Sequence, residues 1–517
     1  MADAVPDSAR PGSVKELGLF NAESLYVRFD FTRDALTAAT QQYFQRIESG
    51  AGQEMPEELK TYVHELTHYL HYTTTPYGLF LQYCRVLQSR AAIEIVQALL
   101  AAGAGFRVPI LENVPMLRGE TEALVQRGLS MWLNIENLLL TMHADTERRA
   151  KLLEKFLAEA ARFDAGQRPR LPPLLDLRST FLKVQESMAD LLESNNAAAA
   201  AAGNPVPMEP AGFDRDALRN ETNLLPTSED WAMLRLQDAL DLLGSPWSTA
   251  AVIESAATAA EFWGTAMDYE SFVAWAHAKV DPQLQVYRTC IAQGLASIQT
   301  RRLQEFIPTY LTLCELALYA PLLPHHAGLR RKRPDFRQIL PVQRWMELMR
   351  VAGEIAPMRA MWDHDRYVME ICRTLDWVHP TQIIRVAVDG PERVSNPLAY
   401  IYVSAQRWRA HNAGVFIDAG RFLFDSSPQG EEWRDLFNFV ILDYADRTMY
   451  HRDKGFLQSM TTRHLNMLGM RALMVGNSLA IPAPYRGDDA QREWMTSWLR
   501  ERFRSLFGRD FPELQFV

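Results

Sequence analysis

The pentapeptide His64-Glu65-Leu66-Thr67-His68 constrains this chain more than any other stretch of it. Residues four apart share one face of an α-helix, so both imidazoles can reach a single metal ion if the segment is helical. The flanking residues agree with that requirement. Tyr62, Val63, Leu66, Tyr69 and Leu70 make the segment largely apolar, and polar histidines on a buried helix need partners. Pro56, Glu57 and Glu58 supply a first turn. Proline needs no hydrogen-bond partner there, and the acids oppose the positive helix end. The helix is expected to stop near Thr73, where Thr-Thr-Thr-Pro-Tyr-Gly breaks it.

The spacing also assigns chemistry. Glu65 sits beside the first histidine, so its carboxylate can meet a metal-bound water instead of the metal itself. Zinc lowers the pKa of such a water to about 7, and the glutamate takes its proton as it attacks a carbonyl. The expected set is therefore zinc on His64 and His68, with Glu65 as general base.

In this form the motif resembles the thermolysin-like zinc peptidases, the gluzincins. That resemblance implies a third ligand from a glutamate on a later helix, in an E-x-x-x-D pattern with a small residue before the aspartate. Gln185-Glu186-Ser187-Met188-Ala189-Asp190 carries it. The resemblance implies Glu186 as zinc ligand and Asp190 as the carboxylate that holds a histidine through its other ring nitrogen, a common arrangement. Glu94, Glu120 and Glu122 are alternative third ligands. His71 extends the histidine face but lies about 10 Å along the helix from His64, too far to share the ion. It is assigned a supporting or core-edge role. It stands where metzincins have glycine, and Thr74 where they have a third histidine, so that related class does not fit. Oxyanion stabilisation is open among Tyr77, Tyr444, Tyr450, His451 and His464.

Composition removes other classes. The chain has 517 residues and a net charge of −9 from 63 acidic and 54 basic residues, so nothing draws it globally to nucleic acid or anionic membrane. Four scattered cysteines with no Cys-x-x-Cys pair exclude a disulfide scaffold and a thiolate zinc knuckle. No uncharged apolar run reaches the roughly 18 residues of a membrane span, and no secretory signal is apparent. The expected location is cytoplasmic. Neither a phosphate-binding loop nor a Gly-x-Ser-x-Gly elbow is present. The basic run Arg330–Arg333, the Asp363-His364-Asp365 cluster and the amphipathic stretch around Trp494–Phe507 read as solvated or packed surfaces.

The expected fold is mainly α with a small N-terminal β element: a zincin-like catalytic core followed by a large helical C-terminal part. Residues 1–15 read as a tail, 16–204 as the metal-binding core, 205–212 as a Pro/Gly linker and 213–517 as the helical region. Leu25–Phe31 alternates apolar and polar residues and predicts a strand, offered as the edge strand that holds extended substrate. Helices are predicted near 79–102, 119–143, 146–163, 178–200, 228–243, 248–264, 268–279, 282–297, 300–320, 340–356, 360–375, 431–450, 455–475 and 488–507. Ile383–Val388 and Val415–Phe424 are predicted strands. The functional expectation is a zinc metallopeptidase acting on peptide or protein. A zinc hydrolase of a non-peptide amide or ester, and a zincin-derived binding protein with a structural zinc, remain alternatives.

Overall fold

A computed structural model of the chain describes residues 18–21, 26–49, 55–103, 120–143, 177–201, 247–263, 267–278, 282–330, 335–359, 363–388, 441–445 and 449–450, with isolated positions elsewhere. Within these residues the protein is mainly helical, with one small sheet.

The helix built on the motif, α2 (Glu57–Thr74), follows α1 (Arg33–Glu48) and begins after Pro56 with Glu57 and Glu58 in its first turn. Its buried hydroxyls are satisfied locally. Thr67, Thr73 and Thr74 each donate to the carbonyl four residues back at 2.7 Å. A sharp corner leads to α3 (Pro76–Ala101): Thr75 caps it by accepting from Gly78 N at 3.2 Å, and Pro76 opens the first turn. Gly78 is required by space. A Cβ there would fall 2.3 Å from the carbonyl oxygen of Tyr72, a backbone atom that cannot swing aside.

The next helices are α4 (Glu120–His143) and α5 (Leu177–Ala201). Beyond them come α6 (Thr249–Ala260), α7 (Tyr269–His277), α8 (Pro282–Ser297) and α9 (Leu303–Leu318). A 3-10 turn at Pro324–Leu329 then leads to α10 (Phe336–Ile339), α11 (Pro341–Val351), α12 (His364–Leu375) and α13 (Pro380–Val388). Arg344 on α11 is almost fully buried and ties off the end of α9, donating to the carbonyls of Leu316 at 2.8 Å and Tyr319 at 3.2 Å. The carbonyls of the last helical turn lack a full set of intrahelical partners; that of Leu316 also accepts from Tyr319 N at 3.2 Å. Burial lowers the Arg344 guanidinium to about 9.

The sheet has the order β1-β2-β3-β4. Strand β1 (Gly18–Asn21) pairs antiparallel with β2 (Tyr26–Phe29), and β2 pairs parallel with β3 (Ile441–Asp443), which pairs antiparallel with β4 (Met449–Tyr450). Of the predicted strand Leu25–Phe31, Tyr26–Phe29 is strand and lies inside the sheet, bonded on both edges, while Leu25 is outside the described residues. Among the described residues the sheet edge next to α2 belongs to β1, whose consecutive Leu19 and Phe20 do not alternate with polar residues.

Two predicted elements need correction. Residues 383–388 form part of α13, not a strand. Pro380 starts that helix and burial follows a helical period, Pro380 and Ile383 inward with Thr381, Gln382 and Arg385 outward, which overrides the β-branched composition. The helix predicted over 431–450 gives way to β3 and β4 where described, because Ile441–Asp443 finds a partner in β2. Val415–Phe424, the linker at 205–212 and the tail at 1–15 lie outside the described residues, as do the helices predicted at 228–243 and 488–507 apart from isolated positions.

One apolar cluster runs from Val27 and Phe29 through α2, α3 and α5 to α6, α9, α11 and α12. A second, smaller cluster joins the far half of α3 to α4 through Ile95, Leu99, Val125 and Trp132, with Met470, Leu473 and Met474 against it.

Candidate metal centre

Helix α6 packs directly against α2. Its sequence is nearly all small and apolar, and Ala251, Ala256, Ala257, Ala259 and Ala260 are buried, which lets the two backbones approach closely. Ser248 starts the helix by accepting from Ala251 N at 3.1 Å. A single acid interrupts this surface, Glu254, and it points at the histidines of α2.

Nε2 of His64 lies 3.1 Å from Nε2 of His68, and Oε2 of Glu254 lies 3.2 Å from the second and 3.6 Å from the first. Ligands about 2.0 Å from a tetrahedral ion are separated from one another by about 3.3 Å. The triangle formed by these three atoms therefore has the size of one face of a zinc coordination tetrahedron. Among the described residues this is the group of three able to hold a metal ion.

The surroundings orient these side chains. Nδ1 of His64 lies 2.7 Å from Oε1 of Glu261, the residue that closes the end of α6. An ionised carboxylate only accepts, so Nδ1 carries the hydrogen and Nε2 is left to face the cluster. The ring of Phe20, from β1, stacks on His68 with centroids 6.0 Å apart and planes 16° from parallel. Burial alone would lower the pKa of His64, but the carboxylates of Glu254 and Glu261, with Glu65 behind them, hold it well above its ordinary value. Burial likewise opposes ionisation of Glu254, yet the two histidines keep its carboxyl well below the usual range. An anionic oxygen thus faces two imidazole nitrogens across a gap of ion size, a donor set that suits a borderline cation such as zinc.

The His68 side chain is 6% exposed, whereas those of His64 and Glu254 are 21% and 34% exposed. Glu65 is buried on the same helix, against β1.

Not every residue named from sequence comes to this place. Glu186 and Asp190 are exposed on α5 and are not members of the group; the carboxylate that meets the histidines is Glu254, and the one that holds His64 is Glu261. Asp190 instead has its backbone carbonyl bonded by Ser194. His71 is buried one turn beyond the pair and stands outside the group. Glu94 forms an exposed ion pair with Arg90 at 3.1 Å, and the side chains of Glu120 and Glu122 lie outside the described residues. Tyr77 is fully buried at the start of α3, and Tyr444 packs on Phe29 in the sheet. His451 and His464 lie outside the described residues, as does the side chain of Tyr450. His364 is buried beside exposed Asp365. Arg330 donates to Gln185 at 2.9 Å and stacks over Phe181, so it braces α5, while the rest of its basic run is outside the described residues.

A signal for Glu254 was present in the sequence. One carboxylate in Thr-Ala-Ala-Val-Ile-Glu-Ser-Ala-Ala-Thr-Ala-Ala is an acid on a helix otherwise built for burial, and Glu261 follows two turns later on the same side. Comparison with protein-family models, curated proteins and solved structures finds no match to this chain.

Proposed function

We propose that this protein is a zinc-dependent hydrolase of peptide bonds, with His64, His68 and Glu254 as ligands and Glu65 as general base. The observation that carries this reading is the ion-sized triangle of two Nε2 atoms and one carboxylate oxygen, with edges of 3.1, 3.2 and 3.6 Å. A bound zinc ion would supply a polarised water and charge stabilisation for a carbonyl oxygen.

The chain's own residues do the rest. Glu261 fixes the tautomer of His64, and Phe20 restrains the ring of His68. Glu65 follows His64 on the buried face and can receive a proton there and return it to a leaving amine. Three protein ligands among the described residues fit a catalytic site, whereas a structural site takes four. A zincin-like core is part of the same proposal. No helix among the described residues is long and apolar enough to cross a membrane.

The deciding experiment pairs metal analysis of the purified protein with cleavage of an internally quenched peptide library by wild type and Glu65→Gln. About one zinc per chain with cleavage by wild type alone supports the reading. A protein without zinc refutes it. Zinc with no cleavage by either form transfers the assignment to a binding protein with a structural ion.

A further inference from the structure

Gly18 lies in β1 opposite Phe29 of β2, and its φ is not in the left-handed region, so its backbone conformation does not call for glycine. Glycine inside a strand weakens it and marks the close approach of another group. That group is the general base. A Cβ on residue 18 would fall 2.6 Å from Cγ2 of Thr61, 2.7 Å from Oε1 of Glu65 and 2.8 Å from its Cγ. All three separations are shorter than carbon and oxygen atoms tolerate without moving.

What moves is decided by the neighbours. Side chains of a strand alternate, so Phe20 shares the face of Gly18. Phe20 is stacked on His68 and tilted against Tyr72 at 5.2 Å, which pins β1 to α2 one step farther along. The other edge of the strand is bonded to β2 along its whole length. Lifting β1 away would therefore break aromatic contacts and ladder hydrogen bonds together. Thr61 is β-branched and stiff at χ1. The end of the Glu65 side chain is the softest element in the contact.

We propose that Gly18 is a positioning residue for the proposed hydrolysis: its missing side chain is the space in which the Glu65 carboxylate is held. The inference rests on the hydrolase reading above. It makes β1 a part of the catalytic apparatus, one that sets the base through residue 18 and braces a metal ligand through residue 20.

The test uses the full chain as wild type, Gly18→Ala, Gly18→Ala/Thr61→Ser and Glu65→Gln. Each is assayed for zinc content, for melting temperature, for the visible spectrum after cobalt(II) substitution, and for kcat and KM on one quenched peptide that wild type cleaves. Displacing a base by about 1 Å costs on the order of 100-fold, so Gly18→Ala is expected to lose at least about tenfold in kcat. KM, zinc content and cobalt spectrum should stay at wild-type values. Thr61→Ser vacates the Cγ2 position, gives the new methyl another place to go, and should restore part of the rate. Wild-type kcat in Gly18→Ala overturns the inference, as does a loss accompanied by lost zinc or a collapsed melting temperature. A wild type that cleaves no peptide at all refutes the hydrolase reading itself, and this inference with it.

Discussion

Nδ1 of His64 lies 2.7 Å from Oε1 of Glu261, although the two residues are 197 positions apart in the chain. A carboxylate in this position sets the tautomer of the imidazole and raises its basicity toward an ion on the other nitrogen. Replacing such a partner lowers metal affinity by about 10–100-fold. Glu261→Gln should therefore bind zinc more weakly by that factor in competition with a chromophoric chelator, with its helix content unchanged. Wild-type affinity would show that the contact does not orient a ligand.

Glu254 and Glu186 make opposite predictions. Glu254→Ala removes one corner of the triangle and should leave the protein without stoichiometric zinc after dialysis. Glu186→Ala alters an exposed position on α5 and should retain it. Metal analysis of the two variants side by side separates them, and loss of zinc from Glu186→Ala alone would restore the assignment made from sequence resemblance.

Glu65→Gln keeps the size of the side chain and removes its basicity. Positioned general bases contribute about 100- to 10,000-fold. The variant should hold zinc as wild type does and lose kcat by a factor in that range. An undiminished kcat would exclude Glu65 as the base.

Acid should weaken the fold through the 3-10 turn. Burial pushes His325 down to about 3, and burial first, then the charges of His325 and Arg330, hold His326 well below its ordinary value. An unfolded histidine titrates near 6.5, so below that pH the unfolded chain binds a proton that the folded chain refuses. Stability is complete above about pH 6.5 and declines as the pH falls toward the folded value. At pH 5, His325 alone costs about 2 kcal/mol. Urea midpoints measured between pH 5 and 7.5 should show this loss in wild type and a smaller one in His325→Leu.

The corner between α2 and α3 offers a structural control. A methyl on residue 78 would meet the Tyr72 backbone, which has no rotamer to change. Gly78→Ala should destabilise the protein by roughly 3 kcal/mol, the upper end for overpacking. A urea midpoint equal to wild type would show that the corner yields.

The parts of this molecule that were legible in the sequence are those specified by neighbours along the chain. The break within Thr73–Gly78, the acidic first turn of α2 and the bounds of α8 all follow from local signals, although the break is narrower than expected, with α2 running to Thr74 and α3 starting at Pro76. The third corner of the candidate metal triangle did not follow, because it is a tertiary fact. Glu186 satisfied a pattern of residue types, while Glu254 satisfies a position in space that arises only when α6 lies on α2. Gly18 was invisible for a related reason: its role is the absence of an atom. Residues 383–388 show the same limit from the other side, since a β-branched stretch became helical once Ile383 had a core to enter.

The histidine pair on α2 and the acids on and after α6 arrive at one point from widely separated stretches, and β2 takes its parallel partner from residues 441–443. During synthesis, a ribosome that has delivered only the motif has made two imidazoles with nothing to converge on. The grouping forms after Glu254 and Glu261 emerge, and the sheet that carries Gly18 gains β3 later still. A nascent chain, or a fragment cut before Glu254, would display the five-residue motif intact without the carboxylate that completes the group. For the proposed hydrolase, the site would then be assembled only late in translation.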